Sequence, residues 1–162
     1  MPTIYIETTI IGYLTARSAT DVIFLARQEL SRRWWDGRRS EYDLYVSQFV
    51  LDEASAGDPT AAAERMALLD GLQILDSGHP DVDRLADLLI DQHLLPSKAR
   101  ADAQHVAVAT AFGVDYLLTW NCKHIANADR LPLIYSTLRR EGFDPPLIVT
   151  PEEFSNDERA NL

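Results

Sequence analysis

Thr3-Ile4-Tyr5-Ile6-Glu7-Thr8-Thr9-Ile10-Ile11 decides the class of this chain: a short, mostly apolar run stops on a carboxylate, two hydroxyls follow, and a helix can begin. A second run, Tyr116-Leu117-Leu118-Thr119-Trp120, stops on Asn121 in the same manner. Ligands of open α/β sheets bind outside the carboxyl ends of the strands, so polar groups that end strands are the first candidates for a site. Two more acids, Glu53 and Asp102, begin or interrupt helical patterns after other candidate site loops. Three carboxylates and an amide can thus gather at one sheet edge. Clustered hard oxygen donors of this kind suit Mg²⁺ or Mn²⁺.

Reading outward, apolar periodicity and turn residues give the order β, α, α, β, α, α, β, α, α, β, α, β. Strands are expected at 3–6, 44–47, 72–75, 114–119 and 147–149. A short helix starts over 10–14. Thr20-Asp21 then offers caps for a long helix through Val22, Leu25, Ala26, Leu30 and Trp34, ending near Gly37. Further helices are expected over 48–56, 60–70, 81–93, 99–112 and 127–141, the last with room for a kink at Pro132. Gly57-Asp58-Pro59, Gly71, Pro96 and Gly113 supply the stops. Helical crossovers of this length imply right-handed connections and a parallel sheet covered on both faces. The expected class is α/β, three layers, with a central, mostly parallel five-stranded sheet flanked by helices. Residues 1–150 read as a single domain and 151–162 as a C-terminal tail.

Composition sets the outer limits. A chain of 162 residues is long enough for one domain with its own core. The lone cysteine, Cys122, excludes an intrachain disulfide and any multi-cysteine metal site. The N-terminal residues lack the basic and long apolar regions of a signal peptide. No run approaches the roughly 18 apolar residues of a membrane helix, so a cytoplasmic protein without membrane contact is expected. A net charge of −10 argues against a broadly basic nucleic-acid surface. It leaves room for an enzyme that meets a phosphodiester through metal ions and a few local cations.

Each candidate residue has an ordinary alternative. Glu7 with Thr8 and Thr9 can form a capping turn for the helix at Ile10, and the same hydroxyls can serve a metal or its water. Glu53 shares a helix face with Phe49 by i, i+4 spacing and so lies near the apolar side; it can equally be a half-exposed structural acid. Asp102 falls in a first helical turn, where a carboxylate suits the helix dipole. It also shares a side with Val106 and Ala109 and thereby faces the sheet edge. His105 is offset from that side and reads as a surface residue ahead of a substrate contact. Asn121 can hold a water or a phosphate oxygen, or simply turn the chain. No Gly-x-Ser-x-Gly, Gly-x-Gly-x-x-Gly or Walker loop is present, and Cys122 lacks a clear base partner.

Taken together, Ile4-Tyr5-Ile6-Glu7-Thr8-Thr9-Ile10-Ile11, Val50-Leu51-Asp52-Glu53, Ala101-Asp102-Ala103-Gln104-His105-Val106-Ala107-Val108-Ala109 and Leu117-Leu118-Thr119-Trp120-Asn121 resemble the PIN-domain ribonucleases, and among them the VapC toxins of toxin–antitoxin pairs. The resemblance spans roughly residues 3–149. The family pattern has an acid after strand one, a glutamate after strand two, an aspartate opening the helix before strand four, and often an acid after strand four. Here Glu7 is one methylene longer than the usual aspartate, and Asn121 is an uncharged amide. The resemblance implies a PIN-like fold and metal-dependent hydrolysis of RNA phosphodiesters. It further implies Mg²⁺ or Mn²⁺ held by Glu7, Glu53 and Asp102, with Asn121 positioning water or phosphate. Thr8, Thr9, Lys98, Arg100, Lys123 and His124 become possible substrate contacts, and an antitoxin protein the expected partner.

Two other readings compete. The departures at Glu7 and Asn121 motivate a degenerate PIN-fold binding module with little or no turnover. A receiver-like or dehalogenase-like phosphotransferase would need an aspartyl nucleophile after strand one, and Thr9 stands where its second acid belongs. The helix after Thr20 carries Ile23, Leu30, Trp34 and Trp35 among several arginines. That pattern suits a homodimer interface, with packing of the tryptophans into the core as the alternative.

Overall fold

The strand Thr3–Ile6 (β1) lies at the centre of the sheet because it can be buried on both faces: Ile4, Tyr5 and Ile6 are all solvent-inaccessible. The structure is a computed structural model, and its described residues are 1–17 and 19–154. After β1 come α1 (Thr8–Thr15), α2 (Val22–Gly37), β2 (Asp43–Ser47), α3 (Gln48–Ala54), α4 (Pro59–Leu69) and β3 (Gln73–Leu75). Then follow α5 (Pro80–Asp91), α6 (Arg100–Ala111), β4 (Tyr116–Leu118), α7 (Leu131–Arg140) and β5 (Leu147–Val149). The five strands are ordered β3-β2-β1-β4-β5 and every neighbouring pair is parallel. The element order is the expected one, and the sheet is wholly parallel where a mostly parallel one was expected.

This order creates a switch point. The chain builds outward from β1 through β2 to β3, then returns to the other side of β1 for β4 and β5. Connections from β1 and β4 therefore leave in opposite directions and open a crevice at their carboxyl ends. Glu7 follows β1 and Asn121 lies three residues past the end of β4, so both belong to that crevice. Helix α6 fixes a third wall. It packs against α5, α3 and β4 and is buried around most of its circumference, at Ala103 and from His105 through Thr110. Its alanines permit that close approach. Gly113, at φ 63°, turns the chain from α6 toward β4 in a conformation that side chains resist.

Two sequence expectations change here. Helix α7 begins at Leu131, so Pro132 sits in the first turn, where a missing N–H costs nothing, and no interior kink arises. Trp34 and Trp35 are buried, at 2% and 5% exposure, and do not form a surface. Trp34 packs beside Tyr42, and Tyr42 meets Tyr116 and Phe154 in edge-on contacts. The Arg39 guanidinium covers Trp35 at 4.8 Å. This aromatic cluster holds the C-terminal half of α2 against the sheet, while Val22, Ile23 and Leu25 at its start remain exposed. Residues 151–154 form a 3₁₀ turn that brings Phe154 into the cluster, and the Arg38 guanidinium donates to the Phe154 carbonyl at 3.0 Å. The remainder of the expected tail, 155–162, lies outside the described residues. Among those residues no helix is long and apolar enough to cross a membrane.

Asp21 caps α2 by accepting from the Phe24 amide at 2.7 Å, and Leu117 is fully buried in β4. Asp21→Ala is expected to lower the unfolding free energy by about 1 kcal/mol. Leu117→Ala is expected to lower it by about 2–5 kcal/mol. Urea denaturation of both variants checks this. Equal losses would show that the α2 cap contributes as much to stability as a fully buried leucine of the central sheet.

Candidate active site

The parallel register of β1 and β4 pairs Ile6 with Leu118, which brings Glu7 and Thr119 together at the ends of the two strands. The Glu7 amide donates to the Leu118 carbonyl at 3.0 Å. The Glu7 side chain is buried and caps α1 itself, so the cap is neither Thr8 nor Thr9. Its Oε2 accepts from the Thr9 amide at 3.2 Å, the Thr9 hydroxyl at 2.5 Å and the Thr119 hydroxyl at 2.7 Å. The Trp120 amide donates to the Thr9 hydroxyl oxygen, and the Asn121 amide to that of Thr119, each at 2.9 Å. Two threonines thus stitch the β1 and β4 exits around one carboxylate. The hydrogen bonds described for Glu7 all go to Oε2, which leaves Oε1 for another ligand.

Glu53 reaches the crevice from α3. Its Oε1 accepts from the Thr8 hydroxyl at 3.1 Å and lies 2.5 Å from His105 Nε2. His105 is completely buried, contrary to the surface position expected for it. Its Nδ1 lies 2.7 Å from the Tyr5 hydroxyl, which lies 2.7 Å from the Ser47 hydroxyl. A continuous chain therefore runs Glu53–His105–Tyr5–Ser47 from the crevice into the core. Burial pushes the Glu53 carboxyl upward, but the His105 hydrogen bond and charge and the Thr8 hydroxyl outweigh it, so it stays below the usual carboxylate range. Burial works against a charged His105. The hydrogen bond to Glu53 and the charges of Glu7, Glu53 and Asp102 outweigh that, and its proton affinity rises. Burial, with the nearby carboxylates, keeps the Tyr5 hydroxyl protonated well beyond its ordinary range.

Asp102 opens α6 and is partly buried, with Oδ2 at 2.8 Å from His124 Nδ1. The Asn121 side-chain carbonyl accepts from the His124 amide at 3.1 Å and so shapes the loop that presents this imidazole. Lys98 is exposed in the 3₁₀ turn before α6, and Lys123 is exposed beside His124. Arg100 is drawn toward α5, at 2.6 Å from Asp87 and 3.6 Å from Asp83.

Glu7, Glu53 and Asp102 therefore share one end of the sheet, and all three act electrostatically on His105. Among the described residues no three His, Cys, Asp or Glu side chains form a compact group able to enclose a metal ion. The donor type nonetheless fits Mg²⁺ or Mn²⁺, because carboxylate and hydroxyl oxygens are hard ligands. Mg²⁺ often takes one or two carboxylates and keeps several waters, which these separated acids can accommodate.

No family model matches the chain, and no curated protein matches it. Solved structures do. A chain of FitAcB from Neisseria gonorrhoeae aligns with a TM-score of 0.56 at 15% identity, covering 93% of this chain and 99% of its own. The sarcin–ricin-loop-cleaving toxin VapC20 of Mycobacterium tuberculosis aligns with a TM-score of 0.54 at 17% identity, covering 78% and 95%. A chain of VapBC2 from Rickettsia felis, solved on a DNA fragment from its promoter, gives 0.51 at 15% identity, covering 91% and 98%. The chain has the PIN-like α/β fold of the VapC and FitB toxins, shared at low sequence identity.

The residues missed in the sequence are His105, Tyr5, Ser47 and Thr119. His105 lies one helical turn beyond Asp102, and Tyr5 lies on the same strand face as Glu7. Both spacings are visible in the sequence once α6 is known to be buried on more than one side. The double-mutant cycle of His105→Leu and Tyr5→Phe tests the buried chain. Each single change is expected to cost about 1–3 kcal/mol of stability. Together they should cost less than the sum, because they break one shared network. Strict additivity in urea unfolding would mean that the two groups are not coupled.

Proposed function

We propose that this chain is a metal-dependent endoribonuclease that hydrolyses RNA phosphodiesters, acting as the toxin of a toxin–antitoxin pair. The observation that carries the reading is the set Glu7, Glu53 and Asp102 around the switch-point crevice of a PIN-like sheet, each carboxylate held by a neighbouring hydroxyl or imidazole. The alignment with a toxin described as cleaving the sarcin–ricin loop is consistent with it.

In this reading Glu7 and Asp102 hold a Mg²⁺ or Mn²⁺ ion, and Glu53 joins them directly or through a water. When bound, such an ion lowers the pKa of a water and neutralises charge developing on the phosphate. The chain's own residues supply orientation. Thr9 and Thr119 fix one oxygen of Glu7, so that the other is presented to the crevice. Thr8 and His105 both engage Oε1 of Glu53, which constrains that carboxylate from two sides. Asn121 spends its carbonyl on the His124 amide, which leaves its NH₂ group to meet a water or a phosphate oxygen. None of these groups is an evident nucleophile, so attack by water is the consistent chemistry.

An antitoxin is the proposed partner, and self-association as a homodimer accompanies it. FitAcB and VapBC2 are toxin–antitoxin assemblies, and the start of α2 exposes Val22, Ile23 and Leu25.

Purified protein is expected to cleave a structured RNA with Mg²⁺ or Mn²⁺, to stop with EDTA, and to lose cleavage as Asp102→Asn. Cleavage that survives both EDTA and the substitution would sink the mechanism. Asn121→Asp restores a formal charge at the crevice and should tighten Mn²⁺ binding in calorimetry. Unchanged affinity would place residue 121 outside the ligand shell.

A further inference from the structure

Beside Asp102 lies a cavity of about 390 Å³, within the range of small-ligand sites (about 300–1,000 Å³). Leu94, Leu95 and Pro96 give it an apolar wall, and Lys123, His124 and Arg130 a basic one. His93 and Asn127 complete the lining, so no carboxylate contributes to it. That is a local reversal in a chain with 25 acidic and 15 basic residues. A wall of Lys, Arg and His without acids selects anions, and a phosphate most readily.

The basic groups are held in different ways. One nitrogen of Arg130, Nη1, donates to the His93 and Leu94 carbonyls at 2.9 and 3.1 Å, which fixes the guanidinium at the rim. No hydrogen bond is described for its Nη2, nor for the Lys123 ammonium group. His124 is pinned through Nδ1 to Asp102, so one imidazole separates the cavity from that carboxylate.

We propose that this cavity is a subsite for a single nucleotide, with its phosphate on Lys123 and Arg130 and its base and ribose against Leu94, Leu95 and Pro96. The proposal rests on the ribonuclease reading for its role: with the scissile phosphate at Asp102, the cavity holds a neighbouring nucleotide of the same RNA strand. It also explains how so acidic a protein grips RNA. One nucleotide is held by a discrete pocket, and the backbone needs no broadly basic surface. Arg100, occupied with Asp83 and Asp87, is not needed for this.

The test uses the full chain in EDTA, so that binding is read without catalysis. Nucleoside 5′-monophosphates, adenosine and inorganic phosphate are titrated separately and followed by amide shifts in ¹H–¹⁵N NMR. A 5′-nucleotide is expected to bind more tightly than adenosine or phosphate and to shift Lys123, His124 and Asn127. Lys123→Glu should weaken it at least about tenfold, the scale of a lost charge-assisted bond, while Lys123→Arg retains it. Lys123→Ala provides a second variant should the reversed charge disturb the fold. Arg33→Glu, the same charge change on α2, should have a much smaller effect. With metal restored, Lys123→Glu should raise KM for RNA more than it lowers kcat. Phosphate binding as tightly as the nucleotides, or nucleotide affinity indifferent to residue 123, overturns the subsite. RNA cleavage with an unchanged KM in Lys123→Glu overturns it while the nuclease reading stands. Nucleotide binding that follows residue 123 in a protein that cleaves no RNA keeps the subsite and removes the nuclease reading.

Discussion

The pairing of β4 with β1, on the side opposite β2, is the constraint on which the rest of the molecule depends. A parallel sheet that grew in one direction would bury every strand exit beneath the next crossover. Reversing direction at β1 instead leaves the exits of β1 and β4 side by side and uncovered. The register then determines which residues meet. With Ile6 opposite Leu118, the next residues outward are Glu7 and Thr119, and their hydrogen bond closes the sheet at that end. A slip of one residue would turn Glu7 to the opposite face and leave a buried carboxylate without its donors.

Glu7 is buried and Glu53 stands partly exposed at the crevice, and the chain holds both with hydroxyls and one imidazole. Three hydrogen bonds converge on one oxygen of Glu7, two of them from threonine side chains. Glu53 is held by Thr8 and His105, and His105 in turn by Tyr5 and Ser47. A network of this kind is stable when every member is satisfied and costly when one is missing. Its benefit to function is geometric. The carboxylates face the crevice from supports that continue into the core and do not rely on loop conformation.

The fold was legible in the sequence because its signals were local and repeated. Caps, glycine stops and apolar periodicity set the order of the elements, and Asp21, Gly71 and Gly113 act as read. Pro132 was misjudged because a proline in a first turn and one in a helix interior look alike until the helix start is known. The tryptophans of α2 were ambiguous for a similar reason. Amphipathic rings next to arginines suit an interface, and here Trp34 packs on Tyr42, which in turn meets Tyr116 and Phe154 from far along the chain, so the cluster belongs to the core. At the candidate site, the positions of Glu7, Glu53, Asp102 and Asn121 at or near element ends pointed to one end of the sheet, and the β1–β4 register sets Glu7 beside Thr119 there. His105 escaped because the reading gave α6 a single buried side, whereas α5, α3 and β4 together cover most of it. Tertiary packing decides such a residue, and no local pattern contains it.

The separation of Glu7 from Thr119, 112 residues along the chain, has a consequence for how the protein is made. Synthesis proceeds from the N-terminus at about 5–20 residues per second, so β1 emerges seconds before the strand that completes its site. Through that interval Ile4, Tyr5 and Ile6 have β2 as an available neighbour but still lack β4. A nascent chain that ends after α6 already carries Glu7, Glu53 and Asp102 but not Thr119, and any fragment ending before β4 lacks the β1–β4 crevice altogether. The crevice therefore forms only when β4 pairs with β1, and that one step brings both strand exits together.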